Sequence, residues 1–542
     1  AIRDAQLCVN GQPITVVGVN RHEHDPVRGH TVDEALMRRD LALMKQFNIN
    51  AVRTSHYPNH PRWYELCDEY GIYVLDEANL ECDGALERLA YDPAWEEAFL
   101  SRVRRMVGRD RSHPCVIAWS LGNESGLGRN HRAAAAWLRA ADPTRPIHYH
   151  PGGDDPITDI VAPMYPSVAR LEALAQQMDA AGDPRPVIMC EYAHSMGNAT
   201  GNLAEYWEIV ARYPRVQGGF VWDWVDQGFR RTAEDGTVYW AYGGDFGDVP
   251  NDGNFCLNGL VAPDRTPHPA LWELAKMGEP FQVEAVELAA GWIRVTNRRH
   301  TLGTDDLAIE WSIEVEGLAV LEGVEVMPSI APGETALVRL PVELDAVEQT
   351  GGRWLTVRIV GRHTNGPGTS STRQIVAWAQ FALGGEAGIG SGGTPSAATE
   401  SIMPPDLMPL RCAGGDGLVR FKYGPAEVTF DCAAGRLVGY AVDGRALLAE
   451  GPTLNLWRAP TDNDEGLWGV DKMAIQWRDA GLDRLESSVQ AVEVWPSVEA
   501  PSLMRVREVW RPRREGAPLR SGWWDFLLLM LRMHLFQFWT PP

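Results

Sequence analysis

The sequence predicts an α/β plus all-β architecture: a (β/α)8 TIM barrel, then an immunoglobulin-like β-sandwich, then part of a large C-terminal β-sandwich domain. Three observations predict it. Eight strand-like runs alternate with helical periods over about 225 residues, the size and order of one closed barrel. From about Pro280 the helical periods stop and alternating strands take over. A Gly/Ser/Pro-rich run, GGEAGIGSGGTPSAATES at 384–401, then leads into further strand-rich sequence. At 542 residues the chain exceeds what one hydrophobic core serves. The predicted boundaries are 1–279 for the barrel, 280–383 for the sandwich, 384–402 for the linker and 403–542 for the partial C-terminal domain with an irregular tail.

The chain opens on a hairpin-like segment whose Asn10-Gly11 pair reads as a tight turn. Strands follow at 14–20, 51–56, 73–78, 116–124, 147–150, 159–165, 187–193 and 216–224, each a short apolar run. Between them lie amphipathic helical patterns at 33–47, 61–70, 93–109, 129–140, 168–179 and 202–213, several begun by Pro near the first turn. A doubly wound sheet is the alternative to a barrel. No Gly-rich phosphate loop follows the first strand, however, and polar clusters are spread over many strand ends, as a barrel site requires. In the sandwich, WIRVTN, LAIEWSIEVEG, ETALVRLPVEL and RWLTVRIVGR read as strands. In the tail after Arg514, the apolar run is too short and too interrupted by Asp525, Arg532 and His534 to predict a membrane span.

A formal net charge of −22 argues against nucleic acid or an anionic membrane as partner, since either needs a local excess of Lys and Arg. The eight cysteines form no close pairs and several sit in apolar runs, which predicts free thiols in a reducing compartment. Twenty-one Trp is a high count. Most fill cores, but aromatic faces are also what sugar C–H surfaces stack on.

Two buried-strand patterns end in a carboxylate. Val116 to Gly126, VIAWSLGNESG, places Asn123 and Glu124 at a strand tip, and Val187 to Ala193, VIMCEYA, carries Glu191 outward into a loop with His194 and Asn198. In a barrel all C-terminal tips converge on one mouth, where they join His22, Glu23, His24, His56, Glu77, Glu81, Tyr165, Trp222 and Asp223. Two facing carboxylates suit glycosidic bond hydrolysis, one protonated to donate to the leaving oxygen and one ionised to attack; retaining enzymes hold the pair about 5–5.5 Å apart. His22 and His24 alone are a weak zinc signal without a third ligand at known spacing.

The strings GVNRHEHDP (18–26), RTSHYPNHPRWYELCDEYGIYVLDEANLE (53–81), WSLGNESGLGRNH (119–131), PMYP (163–166), CEYAHSMGN (190–198), QGGFVWDWVDQ (217–227), YGGDFGDVPNDGNFCLNGLV (242–261) and DRTPHPAL (264–271) resemble the barrel of the large bacterial β-galactosidases of glycoside hydrolase family 2. The resemblance weakens in the sandwich and returns at LWRAPTDND (456–464). It implies Glu124 as acid/base and Glu191 as nucleophile, with Asn123 and Tyr165 supporting the nucleophile and the glycosyl intermediate. His22, His56 and His194 would grip sugar hydroxyls, and Trp222 would floor the galactose pocket. It further implies Mg2+ held by Glu81, Asp83 and Glu124, with Asp83 where the family usually has His, a second Mg2+ near Asn251, and Na+ at the Phe255 carbonyl and Asn258. Carboxylate is a hard ligand and suits magnesium.

The implied substrate is a β-galactoside such as lactose, the implied location cytoplasmic, and full-length relatives are expected to be homo-oligomers. Domains that precede the barrel in such relatives have no counterpart here, nor do the Asp that completes the sodium site and the aglycone-stacking Trp, so the resemblance implies a fragment. A relative acting on β-glucuronides or β-mannosides, or an inactive fragment that binds sugar, are the alternatives. RHEHDP and CEYAHSMGN favour galactose.

Overall fold

In the computed structural model the chain divides into two units, Ala1–Gly390 and Ser391–Pro542. The structure describes residues 1–153, 155–341, 352–361, 374–383, 411–414, 417–431, 434, 436–452, 457–466, 472–484, 495–496 and 504–505. The predicted linker 384–402 and the tail after Arg514 lie outside them.

A small three-stranded sheet, β1 (Ile2–Arg3), β2 (Gln6–Val9) and β3 (Gln12–Pro13), precedes seven parallel strands: β4 (Val16–Asn20), β5 (Ala51–Arg53), β6 (Tyr73–Glu77), β7 (Val116–Asn123), β8 (Ile147–His150), β9 (Val187–Tyr192) and β10 (Val216–Val221). They are ordered β8-β7-β6-β5-β4-β10-β9. The eighth expected strand, 159–165, is not continuous. It bridges β9 at Val161↔Val187 and Met164↔Glu191, and Asp159 N donates to Ile147 O of β8, so the run closes the gap between the two edge strands. Pro163, with no N–H to give, interrupts the ladder.

Around the sheet run α1 (Glu34–Gln46), α2 (Pro61–Tyr70), α3 (Leu86–Tyr91), α4 (Glu96–Asp110), α5 (Arg129–Ala141), α6 (Val168–Ala181), α7 (Leu203–Arg212) and α8 (Pro269–Met277). Their ends follow local chemistry. The Asp33 carboxylate accepts from Leu36 N at the start of α1, Ser167 Oγ accepts from Arg170 N at the start of α6, and Pro opens α2 and α8. Inside the barrel, Val16, Ala51, Leu75, Ala118, Ile160, Ile188 and Phe220 pack into one core with Leu7 and Ile14 of the leading hairpin. Gln217 ties that hairpin in place through Leu7 N, Leu7 O and Ile14 O. The floor of the barrel is therefore filled, and the candidate site residues gather at the C-terminal ends.

The sandwich pairs a three-stranded sheet of β13 (Phe281–Glu287), β14 (Trp292–Asn297) and β17 (Thr335–Arg339) with a four-stranded one of β16 (Leu318–Val326), β15 (Leu307–Val315), β18 (Arg353–Gly361) and β19 (Ile375–Leu383). Ile293, Ile309, Leu355 and Ile359 are among its buried core. The preceding hairpin β11 (Phe229–Thr232) and β12 (Val238–Ala241) belongs to the loops after β10. The sandwich is fastened to the barrel by Asn48 Nδ2 donating to Val376 O and by Lys276 Nζ 4.3 Å over the Trp378 ring. In the second unit, five antiparallel strands, β20 (Arg411–Gly414), β21 (Leu418–Tyr423), β22 (Ala426–Asp431), β23 (Arg436–Val442) and β24 (Arg445–Ala446), form a meander. Among the described residues no helix is long and apolar enough to cross a membrane.

Candidate active site

The strands that carry Glu124 and Glu191 share a local device. Between Ser120 and Asn123, β7 holds one residue more than its partner β8, and between Met189 and Tyr192, β9 holds one more than β10. Each extra residue is a bulge placed just before or at the carboxylate, and a bulge re-aims the side chains beside it. In β7 the bulge needs Gly122. Its φ is +127°, and a Cβ there would stand 2.3 Å from Leu80 O. Glu124, half-buried with φ 38°, follows at the tip.

Glu191 is only 4 % exposed, and each of its oxygens accepts a hydrogen bond. Arg53 Nη1 donates to Oε1 at 2.8 Å and Tyr165 OH donates to Oε2 at 2.7 Å. Burial, and next to it the negative Glu191, hold the Tyr165 phenol well above its ordinary range, so it stays a donor. Arg53, fully buried at the end of β5, is the hub. It also donates from Nε and Nη2 to Glu77 at 2.8 and 3.2 Å, from Nη1 to Asn20 Oδ1 at 2.9 Å and from Nη2 to Asn123 Oδ1 at 2.8 Å. Asn123 in turn donates to Glu81 Oε1 at 3.0 Å. Burial alone would raise the Glu77 carboxyl, but Arg53 and the bonds from His56 and Ser120 bring it down to about 2. Glu77 is therefore an anion.

His56 donates from Nδ1 to Glu77 Oε1 at 2.7 Å. Its Nε2 stands 3.9 Å from Glu81 Oε1 and 4.0 Å from Glu191 Oε1. Burial works to lower this imidazole, yet Glu77 leaves it raised above its ordinary value. The His56 ring stacks on Trp222 at 5.1 Å and 12°, and His22 meets Trp222 edge-on at 5.5 Å. Burial, helped by His56, takes His22 down to about 3, so it is neutral, with Nδ1 3.3 Å from Tyr57 OH. His194, also buried, packs edge-on to Tyr165 at 5.9 Å and lies parallel to Phe255 at 6.0 Å.

Asn258 Nδ2 donates to Phe255 O at 2.9 Å, while Asn258 Oδ1 is buried without a hydrogen-bond partner among the described residues. A buried amide oxygen with open lone pairs is a donor type that a hard cation takes, although here Asn258 turns its N–H to the Phe255 carbonyl. Glu81 is 38 % exposed and Glu124 half-buried, an all-oxygen pair suited to magnesium; the Asp83 side chain lies outside the described residues. Among the described residues no cluster of three His, Cys, Asp or Glu could hold a metal ion. Asn251 braces its own surface loop instead, donating to Asp248 O and accepting from Gly253 N.

Sequence reasoning missed Arg53 altogether and named Glu77 only as a strand-tip residue. The signal was present: a charged residue closing the apolar strand Ala51–Arg53 and another closing Tyr73–Glu77 are costly to bury unless they pair. Asp223, next to Trp222, is a further such residue. Burial, then Asp226, pushes its carboxyl well above the usual range; among the described residues its Oδ1 has no hydrogen-bond partner, and Gln227 Nε2 donates to Oδ2 at 2.6 Å.

Residues 1–283 match the family model described as glycosyl hydrolases family 2, TIM barrel domain. Residues 293–384 match beta-galactosidase domain 4, and 423–511 match the beta galactosidase small chain. The chain is 42 % identical over 511 residues to a beta-galactosidase of Pectobacterium atrosepticum, covering 91 % of this chain and 48 % of that one. It is 41 % identical over 502 residues to one of Klebsiella pneumoniae, covering 90 % and 47 %. To one of Aeromonas hydrophila it is 43 % identical over 502 residues, again 90 % and 47 %. The chain thus spans about half the length of the curated relatives it matches. Among solved structures, an apo β-glucuronidase from Ruminococcus gnavus superimposes with a TM-score of 0.41 at 22 % identity, over 51 % of this chain and 52 % of that one.

Proposed function

The chain belongs to glycosyl hydrolase family 2, and from that premise we propose that it is a retaining glycosidase that removes terminal non-reducing β-D-galactose from β-galactosides such as lactose. The observation that carries the proposal is the Glu191 carboxylate, buried at a barrel mouth with one oxygen on Arg53 and the other on Tyr165. A carboxylate so held is pre-aimed, and its attack needs no reorganisation.

In this reading Glu191 attacks the anomeric carbon as the bond to the leaving oxygen breaks, and Glu124 gives that oxygen its proton. Water then attacks the glycosyl ester, Glu124 takes the water's proton, and Glu191 leaves as carboxylate. His22, His56, His194, Asn123 and Asn258 bind hydroxyls, and the Trp222 face meets the apolar side of the sugar. Glu81, Asp83 and Glu124 would hold Mg2+, and the Phe255 carbonyl and Asn258 Na+. Bound there, the cations would supply fixed positive charge beside the acid/base and the sugar. The names of the curated relatives support galactose. The cellular site proposed is the cytoplasm, and the assembly proposed for the whole protein is a homo-oligomer.

The experiment is turnover of a chromogenic β-galactoside beside the matching β-glucuronide and β-mannoside, with the anomer first released read by NMR. A β-anomer from the galactoside alone supports the proposal. Faster turnover of either other glycoside, or binding of galactose with no turnover of any of the three, overturns it.

A further inference from the structure

Resting on the reading of Glu191 as nucleophile, we propose that Glu77 is a positioning residue of the reaction, holding the Arg53 guanidinium and the His56 imidazole in the one arrangement in which both reach Glu191. Glu77 lies wholly buried at the tip of β6, and among the described residues its carboxylate takes its hydrogen bonds from side chains. Oε1 takes His56 Nδ1 at 2.7 Å and Arg53 Nη2 at 3.2 Å, and Oε2 takes Arg53 Nε at 2.8 Å and Ser120 Oγ at 2.7 Å. Ser120 is backed by His148, whose Nδ1 stands 3.3 Å from its hydroxyl. A carboxylate that only closed a strand end would need one of these partners. Glu77 has all of them, and the two beyond Ser120 are the ones that face Glu191.

The geometry divides the guanidinium. Glu77 grips the Nε edge, which leaves Nη1 to meet Glu191 Oε1 at 2.8 Å and Nη2 to meet Asn123 Oδ1 at 2.8 Å. Because Glu77 already balances the Arg53 charge, Arg53 can aim Glu191 without quenching it. Remove that balance and the whole charge falls on the nucleophile. The ionised ground state is then stabilised more than a transition state in which the carboxylate charge is passing into a bond, and the barrier rises. For His56, the bond from Nδ1 to Glu77 fixes which nitrogen looks outward. Nε2, on the ring that stacks against Trp222, stands 4.0 Å from Glu191 Oε1. Loss of Glu77 frees the ring to flip.

The test is the rate at which the intact chain gains covalent mass from 2-deoxy-2-fluoro-β-D-galactosyl fluoride. The anomeric C–F bond breaks, fluoride leaves, the C2 fluorine stays, and the anomeric carbon bonds to Glu191. Final extent counts competent sites, and the rate constant per labelled site reports positioning. For Glu77→Gln the extent should match the wild-type chain, while the rate per site falls about 100-fold with the half-saturating reagent concentration changed less than about threefold. Glu77→Asp keeps the charge on a shorter stem and should regain about tenfold of that loss. A lower extent with an unchanged rate for the remaining sites would mean that Glu77 only supports the fold, which overturns the proposal. If Glu77→Gln does not accumulate as folded chain, Glu77→Asp decides, and a wild-type rate per site in it overturns the proposal. A wild-type chain that never gains the mass overturns the reading of Glu191 and this role with it; equal labelling rates in the wild-type chain and both variants overturn the role of Glu77 alone.

Discussion

Arg53 and Glu191 meet at 2.8 Å although 138 residues separate them in the chain, and the guanidinium is fully sealed from water. An arginine so placed cannot be replaced by another cation. Lysine offers three donors on a point charge, which cannot span Glu77, Glu191 and Asn123 at once. Arg53→Lys is expected to lower kcat on a β-galactoside about 100-fold with little change in KM. A variant with wild-type kcat would show that aiming Glu191 does not depend on the fork.

The two carboxylates should respond differently to the leaving group. Glu191→Gln removes the only retaining route and should abolish glycosyl-enzyme formation with every substrate. Glu124→Gln should spare substrates whose leaving group has a low pKa, because such a group departs unprotonated. Glycosylation rates measured separately for an activated aryl galactoside and for lactose decide the matter, and equal losses on both in both variants would refute the assignment.

Metal removal tests the expected magnesium ligands. Glu81 accepts from Asn123, the residue before Glu124, so negative charge gathers at the tips of β6 and β7. Without a cation, like charges gathered there repel one another. Chelation should lower activity near neutral pH, Mg2+ should restore it, and Asp83→Ala should weaken the response. A pH profile indifferent to chelator would end the idea.

Stability should hinge on a carboxylate far from chemistry. Asp40, fully buried, accepts from Arg21 and Arg265, both fully buried, and Arg21 lies 3.7 Å over the Trp63 ring. Asp40→Asn leaves Arg265 without its carboxylate and Arg21 with only Glu23, 3.8 Å away, and should cost about 3–5 kcal/mol. Urea unfolding of the barrel, followed by Trp fluorescence, measures it; a loss below about 1 kcal/mol would mean that water or backbone carbonyls already carry those charges.

A second buried acid gives stability a pH dependence of known sign. Asp76 takes Tyr64 OH at 2.6 Å and Thr54 Oγ1 at 3.2 Å on Oδ1. Burial, then the neighbouring Asp110, holds its folded-state pKa well above the ordinary value of 3.8. Asp110 is itself gripped by Arg109, and His113 and Asp68 pair nearby on the same wall. A group raised on folding contributes stability that is complete below the unfolded pKa and is lost as pH rises through the folded one. Stability of the wild-type chain should therefore decline relative to Asp76→Asn from about pH 4 upward, until the folded group ionises. Parallel curves for the two proteins between pH 4 and pH 9 would rule this out.

The fold class was legible because barrel strands are buried on both faces. Val116–Asn123 and Val187–Tyr192 read as apolar runs, and they are runs of buried residues. The interruption at 159–165 was half-written in Pro163 and Pro166, yet whether the run still closes the barrel depends on what β8 and β9 offer it. Of the residues expected at the site, Asn123, Tyr165, Glu191, His22, His56 and Trp222 are linked by the hydrogen bonds and ring contacts described. Asn251 instead turns on its own loop. Arg53 stayed hidden because a charged residue in a short strand does not say by itself which groups it pairs with. Its worth lies in partners at positions 20, 77, 123 and 191, and no local window contains them. The bulges were invisible for the same reason: a one-residue mismatch exists only between two strands.

The hairpin that stops the barrel floor with Leu7 and Ile14 makes the barrel a blind cup. For the chemistry proposed, everything must cross a single rim. Leaving group, attacking water and released sugar use the same doorway in turn, so a bulky alcohol that lingers at the rim delays the water behind it. Traffic at that rim, rather than bond breaking, then becomes the step that viscosity and added glycerol would slow.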